Sequence, residues 1–438
     1  MPEVDIPGPG GGGNSLEQLL GDLLQLMGGA VPGGGRVELA RTLAQGAATN
    51  GQPEGNADPS ERIRFEELAR VAEMHVTELT GLSVTPTGAP VEVVTVGPGA
   101  WAWKTVDDWQ FLFDAAPDRA SAGPSPGDGG GPGPDGGGGT GPGPGSPGDG
   151  PSPSPSGLGL MDLGPEDLVG TGEPAVVGPA DLVSRWMATM GPILTGLQLG
   201  SAVGHLARAT LGQYELPIPR PSPTSLLVVP ANVEAFAEAW SLPGDEVRLW
   251  VCLRDMTINA VLARPHVADR LRGLLTEVVQ AMAGDTDALA DRLQGLDPSD
   301  PDSLQRLFGD PEAFLGADLA PERHRVSAEL TAVTTALLGY VDHVLDRAGA
   351  RLLGGRTALA EAWRRRQVDR EASDRTAELL LGLDLGPAQV DRGTAFVDGV
   401  VERAGEEGLA RLWSELQTLP TPAEVDAPGL WLERISLG

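Results

Sequence analysis

The sequence predicts a mainly α-helical protein with a minor β component. Apolar residues recur at helical spacing on both sides of a Gly- and Pro-rich stretch. Only two short runs, 91–96 and 226–229, have the composition and the flanking residues of strands. Hydrophobic residues make up 40% of the 438 positions, which is enough to bury a sizeable core.

Composition divides the chain into a leader at 1–14, a helical segment with one strand at 15–116, a linker at 117–157 and a helical domain at 158–438. Between residues 121 and 157, 26 of 37 positions are Gly or Pro. We expect this linker to be disordered, because it cannot bury enough apolar surface to offset the entropy of ordering. The amphipathic helices of 15–116 need a surface to cover, so we expect them to pack against the helical domain.

The clearest helix before the linker begins after Asp58, which is a favourable N-cap, and has Pro59 at its first position. Glu61 has the spacing that completes a capping box, and Gly81 marks the end of the helix. A leucine pattern predicts an earlier helix over 16–27. We expect three tryptophans to act as core anchors: Trp101, Trp103 and Trp109.

Helical patterning also dominates after the linker. Two helices, 179–190 and 192–211, are separated by a Gly-Pro pair, and glycines at every fourth position of the second form a ridge that another helix can approach closely. Further helices are predicted at 231–240, 244–263, 266–283, 286–294, 322–349, 356–369 and 373–382, with two more near the C-terminus.

The charge balance limits the classes of partner. The chain has 61 acidic and 31 basic residues and a net charge of −30, which argues against binding nucleic acid or an anionic membrane. Its one cysteine, Cys252, excludes an internal disulfide and fits a reducing compartment. The first residues have no secretory signal pattern, and the longest uncharged run, 186–204, is too weakly apolar to span a membrane. We therefore expect a cytoplasmic protein.

The sequence lacks a P-loop, a strand-flanked G-x-G-x-x-G and a G-x-S-x-G elbow. The most informative stretch is 249–262, an apolar helix that carries three polar residues, Arg254, Asp255 and Asn259. Around it lie further segments of distinctive sequence: 54–59, 64–69, 191–206, 216–221, 229–233, 238–243, 339–344, 381–383, 393–397 and 419–421.

With these segments the chain resembles an actinobacterial family of zinc-dependent metalloproteases or hydrolases, which is linked by name to deazaflavin-cofactor biosynthesis. The resemblance implies a zincin-like metalloprotease helical fold. In that family the helix matching 249–262 carries an H-E-x-x-H motif. Two His side chains one turn apart bind zinc, and the Glu acts as general base on the zinc-bound water.

In this sequence the matching positions are Arg254 for the first His, Asp255 for the Glu and Ile258 for the second His. The resemblance also suggests a third ligand, a Glu, at the position of Leu338. A guanidinium and two aliphatic groups offer zinc no lone pair. We therefore predict a degenerate motif without functional catalytic residues, no zinc or other cofactor, and a function through binding of a protein or peptide.

Three alternatives remain open from the sequence. The chain could be an active metal-dependent hydrolase or peptidase of the same family, or a hydrolase with a rewired site that uses Asp255 and Asp342 as its carboxylates. The chain could instead be a structural remnant without a partner, and its oligomeric state is not predicted. A different metal site would have to be assembled from His205, His266, Asp342, His343, Asp255 and Asn259.

Overall fold

The computed structural model describes residues 33–55, 58–115, 196–221, 224–284, 321–370 and 372–437. All of them belong to one compact unit. The sequence predictions that lie outside the described residues are the leader, the linker and the helices at 16–27, 179–190 and 286–294.

The described chain is helical with a small sheet, as predicted. Before the linker the elements are α1 (Gly33–Thr49), α2 (Pro59–Thr80), β1 (Glu92–Thr95), α3 (Pro98–Asp108) and α4 (Gln110–Ala115). After it come α5 (196–207), β2 (Ser225–Val228), α6 (Pro230–Ala239), α7 (Gly244–Leu262), α8 (Pro265–Gly284), α9 (Pro321–Leu352), α10 (Arg356–Val368) and α11 (Ala372–Leu380).

The C-terminal part of the described chain has one helix more than the two predicted. The long α12 (Pro387–Ala410) precedes α13 (Pro422–Val425) and α14 (Pro428–Leu437), with two short 3-10 turns between α12 and α13. Gly405 interrupts α12 with a φ of 65°, a left-handed conformation that glycine adopts without strain.

The two predicted strands pair with each other in a parallel arrangement, with Val93 beside Leu226 and Val94 beside Leu227. Helix α2 also packs against α7, so residues on the two sides of the predicted linker share one hydrophobic core. The expected packing of the N-terminal helices against the later domain is therefore confirmed. The four segment boundaries remain predictions.

Helix α2 begins and ends as the sequence indicates, except at one residue. The Asp58 carboxylate accepts a hydrogen bond from the backbone N–H of Ser60, and Gly81 ends the helix with a φ of 67°. The capping box predicted for Glu61 is wrong. Its carboxylate instead binds both Nε and Nη2 of Arg248 on α7, at 2.9 and 3.1 Å, and so joins the two helices.

The glycine ridge of α5 is a packing device, as predicted. A Cβ at Gly200 would lie 2.8 Å from the carbonyl oxygen of Ala40, and one at Gly204 would lie 2.5 Å from that of Ala44, both on α1. The helix ends at residue 207 and not at 211, because the chain turns there into a buried loop. In this turn the Thr210 hydroxyl donates a 2.8 Å hydrogen bond to the carbonyl oxygen of Gly212.

Helix α7 lies at the centre of the fold, in contact with α2, α6, α8 and α9. Fifteen of its nineteen residues are buried. Cys252 is one of them, and burial raises the pKa of its thiol. Trp101 and Trp109 are also fully buried as predicted, whereas Trp103 is half-buried beneath Arg41. Of the helices described, none has the length and apolar content needed to cross a membrane.

Candidate functional site

A cleft lies where α7, α9 and α10 meet, and we call it the central cleft. Its volume is about 980 Å³, including space open to solvent. Helix α7 contributes Trp250 and Arg254 to its wall, and residues 385–390 close one side. The other principal lining residues are Glu215, Leu338, Val341, Asp342, Leu345, Asp346, Arg356, Trp363, Arg364, Gln367 and Arg370.

A buried loop, residues 209–221, passes beside α7, and we call it the inner loop. Every residue from 210 to 220 is buried, so its backbone groups need partners inside the protein. Trp101 Nε1 donates to the Gly212 carbonyl oxygen at 2.9 Å. The Gln213 side chain accepts from the backbone N–H of Leu227 at 3.1 Å, which attaches the loop to β2.

Asp255 anchors the inner loop. One carboxylate oxygen, Oδ2, accepts hydrogen bonds from the backbone N–H groups of Gln213 and Tyr214 at 2.6 and 3.3 Å. The other, Oδ1, accepts from Arg254 at 3.0 Å. Burial raises the pKa of Asp255, while Arg254 and the two amides favour its ionised form. Asp255 therefore holds the loop and contributes no surface to the central cleft.

The close contact between Asp255 and the inner loop requires a glycine at position 212. A Cβ there would lie 2.2 Å from Asp255 Oδ2 and 3.3 Å from a methyl group of Val251. A side chain at 212 would consequently push the loop away from α7 and break the hydrogen bonds to the carboxylate.

Arg254 connects α7 to both the inner loop and α10. Its Nη1 donates to the Tyr214 carbonyl oxygen at 2.7 Å and to Asp255 at 3.0 Å. Its guanidinium carbon lies 4.8 Å from the centre of the Trp363 ring, in the range of a cation–π contact. Arg254 also lines the central cleft.

Ile258 and Leu338 differ in where they lie. Ile258 is buried in the core with 1% of its surface exposed, one turn after Arg254 on α7. Leu338 on α9 is half-buried and lines the central cleft. The resemblance matches three zinc donors to the positions of Arg254, Ile258 and Leu338, where the side chains offer a fixed positive charge and two aliphatic groups. The residues at these three positions do not fit a zinc ion.

The other candidate ligands are spread over the fold. His343 Nε2 lies 3.3 Å from Glu406, and the carboxylate of Asp342 accepts a 3.2 Å hydrogen bond from Thr394. Asn259 receives a hydrogen bond from the Tyr214 hydroxyl at 2.6 Å. Throughout the described ranges, no three His, Cys, Asp or Glu side chains are grouped closely enough to hold a metal ion.

Sequence reasoning missed a buried ion network beside Arg254. Arg366 lies 4.7 Å from the Trp363 ring centre, and its Nη2 lies 3.2 Å from a carboxylate oxygen of Glu215. Arg370 is paired with Glu378 close by. Burial alone would raise the pKa of Glu215, but the charges of Arg366, Arg370 and Arg254 outweigh it and lower the pKa. A run of three arginines after Trp363 resembles a solvated helix face, so the sequence offered no signal of burial.

Comparison with known protein families assigns the chain to a class of metallopeptidases. A family model described as zincin-like metallopeptidase matches residues 36–432, and the chain belongs to this family. The fold is similar to that of a candidate hydrolase with a novel fold from Chloroflexus aurantiacus, with a TM-score of 0.56 and 20% identity over 92% of this chain and 98% of that chain. No curated protein matches the sequence.

Proposed function

We propose that this protein is a catalytically degenerate member of its family that binds a peptide or protein segment in the central cleft without hydrolysing it. The observation that carries the proposal is the position of Arg254. The resemblance matches this residue to the first zinc-binding His, and its guanidinium is bonded to Asp255 and to the Tyr214 carbonyl oxygen.

The hydrogen bonds of Asp255 support the loss of catalysis. A general base must reach the water or the substrate proton that it removes. Both oxygens of Asp255 accept hydrogen bonds from the inner loop or from Arg254, and the residue is 1% exposed. In this arrangement the carboxylate stabilises the fold and has no path to a substrate in the cleft.

The central cleft supports a binding function. Its lining combines aromatic and aliphatic surface from Trp250, Trp363 and Leu338 with charged groups on α9 and α10. Binding sites commonly pair an apolar lining with a few convergent polar groups in this way. The actinobacterial origin and the deazaflavin link remain predictions.

A rewired hydrolase is the second candidate, and Asp342 is the observation that favours it. This carboxylate lines the central cleft, and burial raises its pKa, as is common for acids that transfer protons. The sequence suggested Asp255 as the second carboxylate of such a site. Asp255 lies outside the cleft lining, so Asp342 would have to act without it.

Metal content and peptide cleavage together test the proposal. The full chain is purified without a tag or chelator, equilibrated with zinc, passed through a desalting column and measured by elemental analysis. In parallel it is incubated with a mixed peptide library that is read by mass spectrometry. We expect far less than one zinc per chain and no cleavage. Near-stoichiometric zinc would overturn the degenerate site, and cleavage abolished by Asp342→Asn would establish the rewired hydrolase.

A further inference from the structure

We propose that the central cleft takes a ligand that bears a carboxylate beside an apolar group, as the C-terminal residue of a peptide does, with the carboxylate bound by Nε and Nη2 of Arg254. This inference rests on the proposed function, since it names the chemical class of the ligand for the same cleft.

The free edge of the Arg254 guanidinium is the first observation. Nη1 has two hydrogens, and these are used by the Tyr214 carbonyl oxygen at 2.7 Å and by Asp255 at 3.0 Å. Among the residues that the structure describes, Nε and Nη2 make no hydrogen bond. They form the edge of parallel N–H groups that matches the two oxygens of a carboxylate.

Arg254 is also held in place before any ligand arrives. Its guanidinium stacks on Trp363 and is bonded to backbone and side-chain acceptors on the inner loop and α7. Only 11% of the side chain is exposed, so a ligand that reaches it meets an environment where charge is poorly screened. A fixed planar donor loses little conformational entropy on binding, which favours specific recognition of a carboxylate.

The walls of the central cleft differ in charge. Arg356, Arg364 and Arg370 belong to or directly follow α10, whereas Asp342 and Asp346 lie on α9. Arg356, Arg364 and Arg370 are each paired with an acid, and Glu215 lies beside Arg366 and interacts with Arg254. The lining still holds four arginines against three acids, so an anionic group is favoured on the side of the cleft formed by α7 and α10, where Arg254 lies.

Apolar residues complete the specificity. Leu338, Val341, Leu345 and Leu385 line the same cleft together with the ring of Trp250. An inorganic anion has no apolar group, so these apolar side chains would stay exposed to water when it binds. A carboxylate attached to an aliphatic or aromatic side chain covers it, so both parts of the ligand contribute to binding.

The test compares two forms of one dipeptide. N-acetyl-Leu-Phe, as the free acid and as the C-terminal amide, is titrated into the full chain by isothermal titration calorimetry. We expect the free acid to bind at least about tenfold more tightly, because only the acid has the charged pair of oxygens. Arg254→Lys should reduce this preference to below about threefold, since an ammonium lacks the planar donor edge.

Arg365→Gln is the matched control. Arg365 lies on α10 beside the cleft residue Arg364, but it is exposed and paired with Glu361, outside the cleft lining. The preference for the free acid should be unchanged in this variant. If Arg254→Lys does not fold, the Nε signal of Arg254 in the wild-type ¹H–¹⁵N spectrum replaces it. That signal should shift with the acid and stay in place with the amide.

Each remaining outcome counts against the inference. Equal binding of acid and amide would overturn the carboxylate assignment and leave binding in the cleft intact. A preference for the acid that persists in Arg254→Lys would place the carboxylate elsewhere. No binding of either form up to about 1 mM would overturn both the carboxylate and the peptide as ligands, while the zinc and cleavage measurements would still decide whether the site is degenerate.

Discussion

The guanidinium of Arg254 lies 4.8 Å from the centre of the Trp363 ring, and so couples the central helix α7 to α10. Arg366 approaches the same ring to within 4.7 Å. The resemblance places a zinc ligand at position 254, and a zinc ion there would hold neighbouring helices together by coordination. Here a cation that is part of the chain links α7, α10 and the inner loop.

Replacing Arg254 by Met should therefore destabilise the fold. The substitution keeps an unbranched apolar stem but removes the hydrogen bonds to Tyr214 and Asp255, and it leaves the Asp255 charge without its cation. We expect a loss of about 2–4 kcal/mol in the free energy of unfolding, as for other broken buried ion pairs. Urea denaturation of the full chain, followed by tryptophan fluorescence, measures it.

The exposed Arg365→Gln variant again serves as the control and should change the free energy of unfolding by no more than about 0.5 kcal/mol. A similarly small change in Arg254→Met would show that the guanidinium contributes no structural link.

The contact between Gly212 and Asp255 allows a double-mutant test. Gly212→Ala alone should cost about 2–3 kcal/mol, because its Cβ would overlap Asp255 Oδ2 at 2.2 Å. In an Asp255→Ala background most of that overlap is gone, so the same substitution should cost at most about 1 kcal/mol. The measurement is the free energy of unfolding of the wild type, both single variants and the double variant.

Gly273→Ala on α8 is the control for adding a methyl group to this protein. A Cβ at Gly273 meets nothing within 4 Å, and alanine favours the helix by about 0.5–1 kcal/mol. A small cost of Gly212→Ala both with and without Asp255 would mean that the inner loop moves freely and is not fixed by the carboxylate. An equally large cost in both backgrounds would mean that the methyl group overlaps other atoms, such as the methyl group of Val251.

Much of the fold follows from sequence patterns that act over a few residues. The sequence predicts well where α2 starts and ends, because the Asp58 cap and the backbone conformation of Gly81 depend only on neighbouring residues. It also predicts the two strands well, because their β-branched and apolar side chains favour extended backbone. Long-range pairing is different. Glu61 has the right spacing for a capping box, yet it binds Arg248, which lies far along the chain.

The candidate site was predictable in part, for the same reason. Two residues one helical turn apart, Arg254 and Ile258, can be judged from the chemistry of their side chains alone. The roles of Glu215 and Arg366 depend on burial, because in water each would be an ordinary surface charge. Only the fold buries Glu215 and brings the inner loop against α10, where the charges of Arg366, Arg370 and Arg254 together outweigh that burial and lower the pKa of Glu215.

Asp342→Asn should stabilise the protein at neutral pH. Burial raises the pKa of Asp342, so the folded state binds this proton more tightly than the unfolded state does. The stability from this group is gained as pH falls through the raised pKa and is absent above it. An asparagine avoids the cost of a partly buried charge and still offers an oxygen to the Thr394 hydroxyl.

The pH dependence of Asp342→Asn separates this effect from simple repacking. The gain over the wild type should be largest near pH 7, shrink as pH falls through the raised pKa, and level off below about 3.9, the usual pKa of an unfolded Asp. Thermal melts of both proteins in matched buffers across this range measure the gain. A constant difference at all pH values would contradict an ionisation effect, and a loss of stability at pH 7 would mean that the Asp342 charge has a partner in the fold.

Restoring the two His residues should not by itself restore a zinc site. Arg254→His with Ile258→His removes the links of Arg254 and places an imidazole in a fully buried aliphatic position, so we expect a lower melting temperature than that of the wild type. The double variant offers zinc two protein ligands, whereas catalytic zinc sites use three. Added zinc should therefore cause only a small rise in the melting temperature of this double variant.

Adding Leu338→Glu supplies the third donor from α9, and the triple variant should then gain stability with zinc in a concentration-dependent manner. Leu338→Glu alone is the control and should show no response to zinc. A marked zinc-dependent rise in the double variant without Glu at 338 would contradict the assignment of the third position, because another side chain near α7 would have to complete the site. Since the wild type keeps Arg254, the same titration on it should give no rise at all.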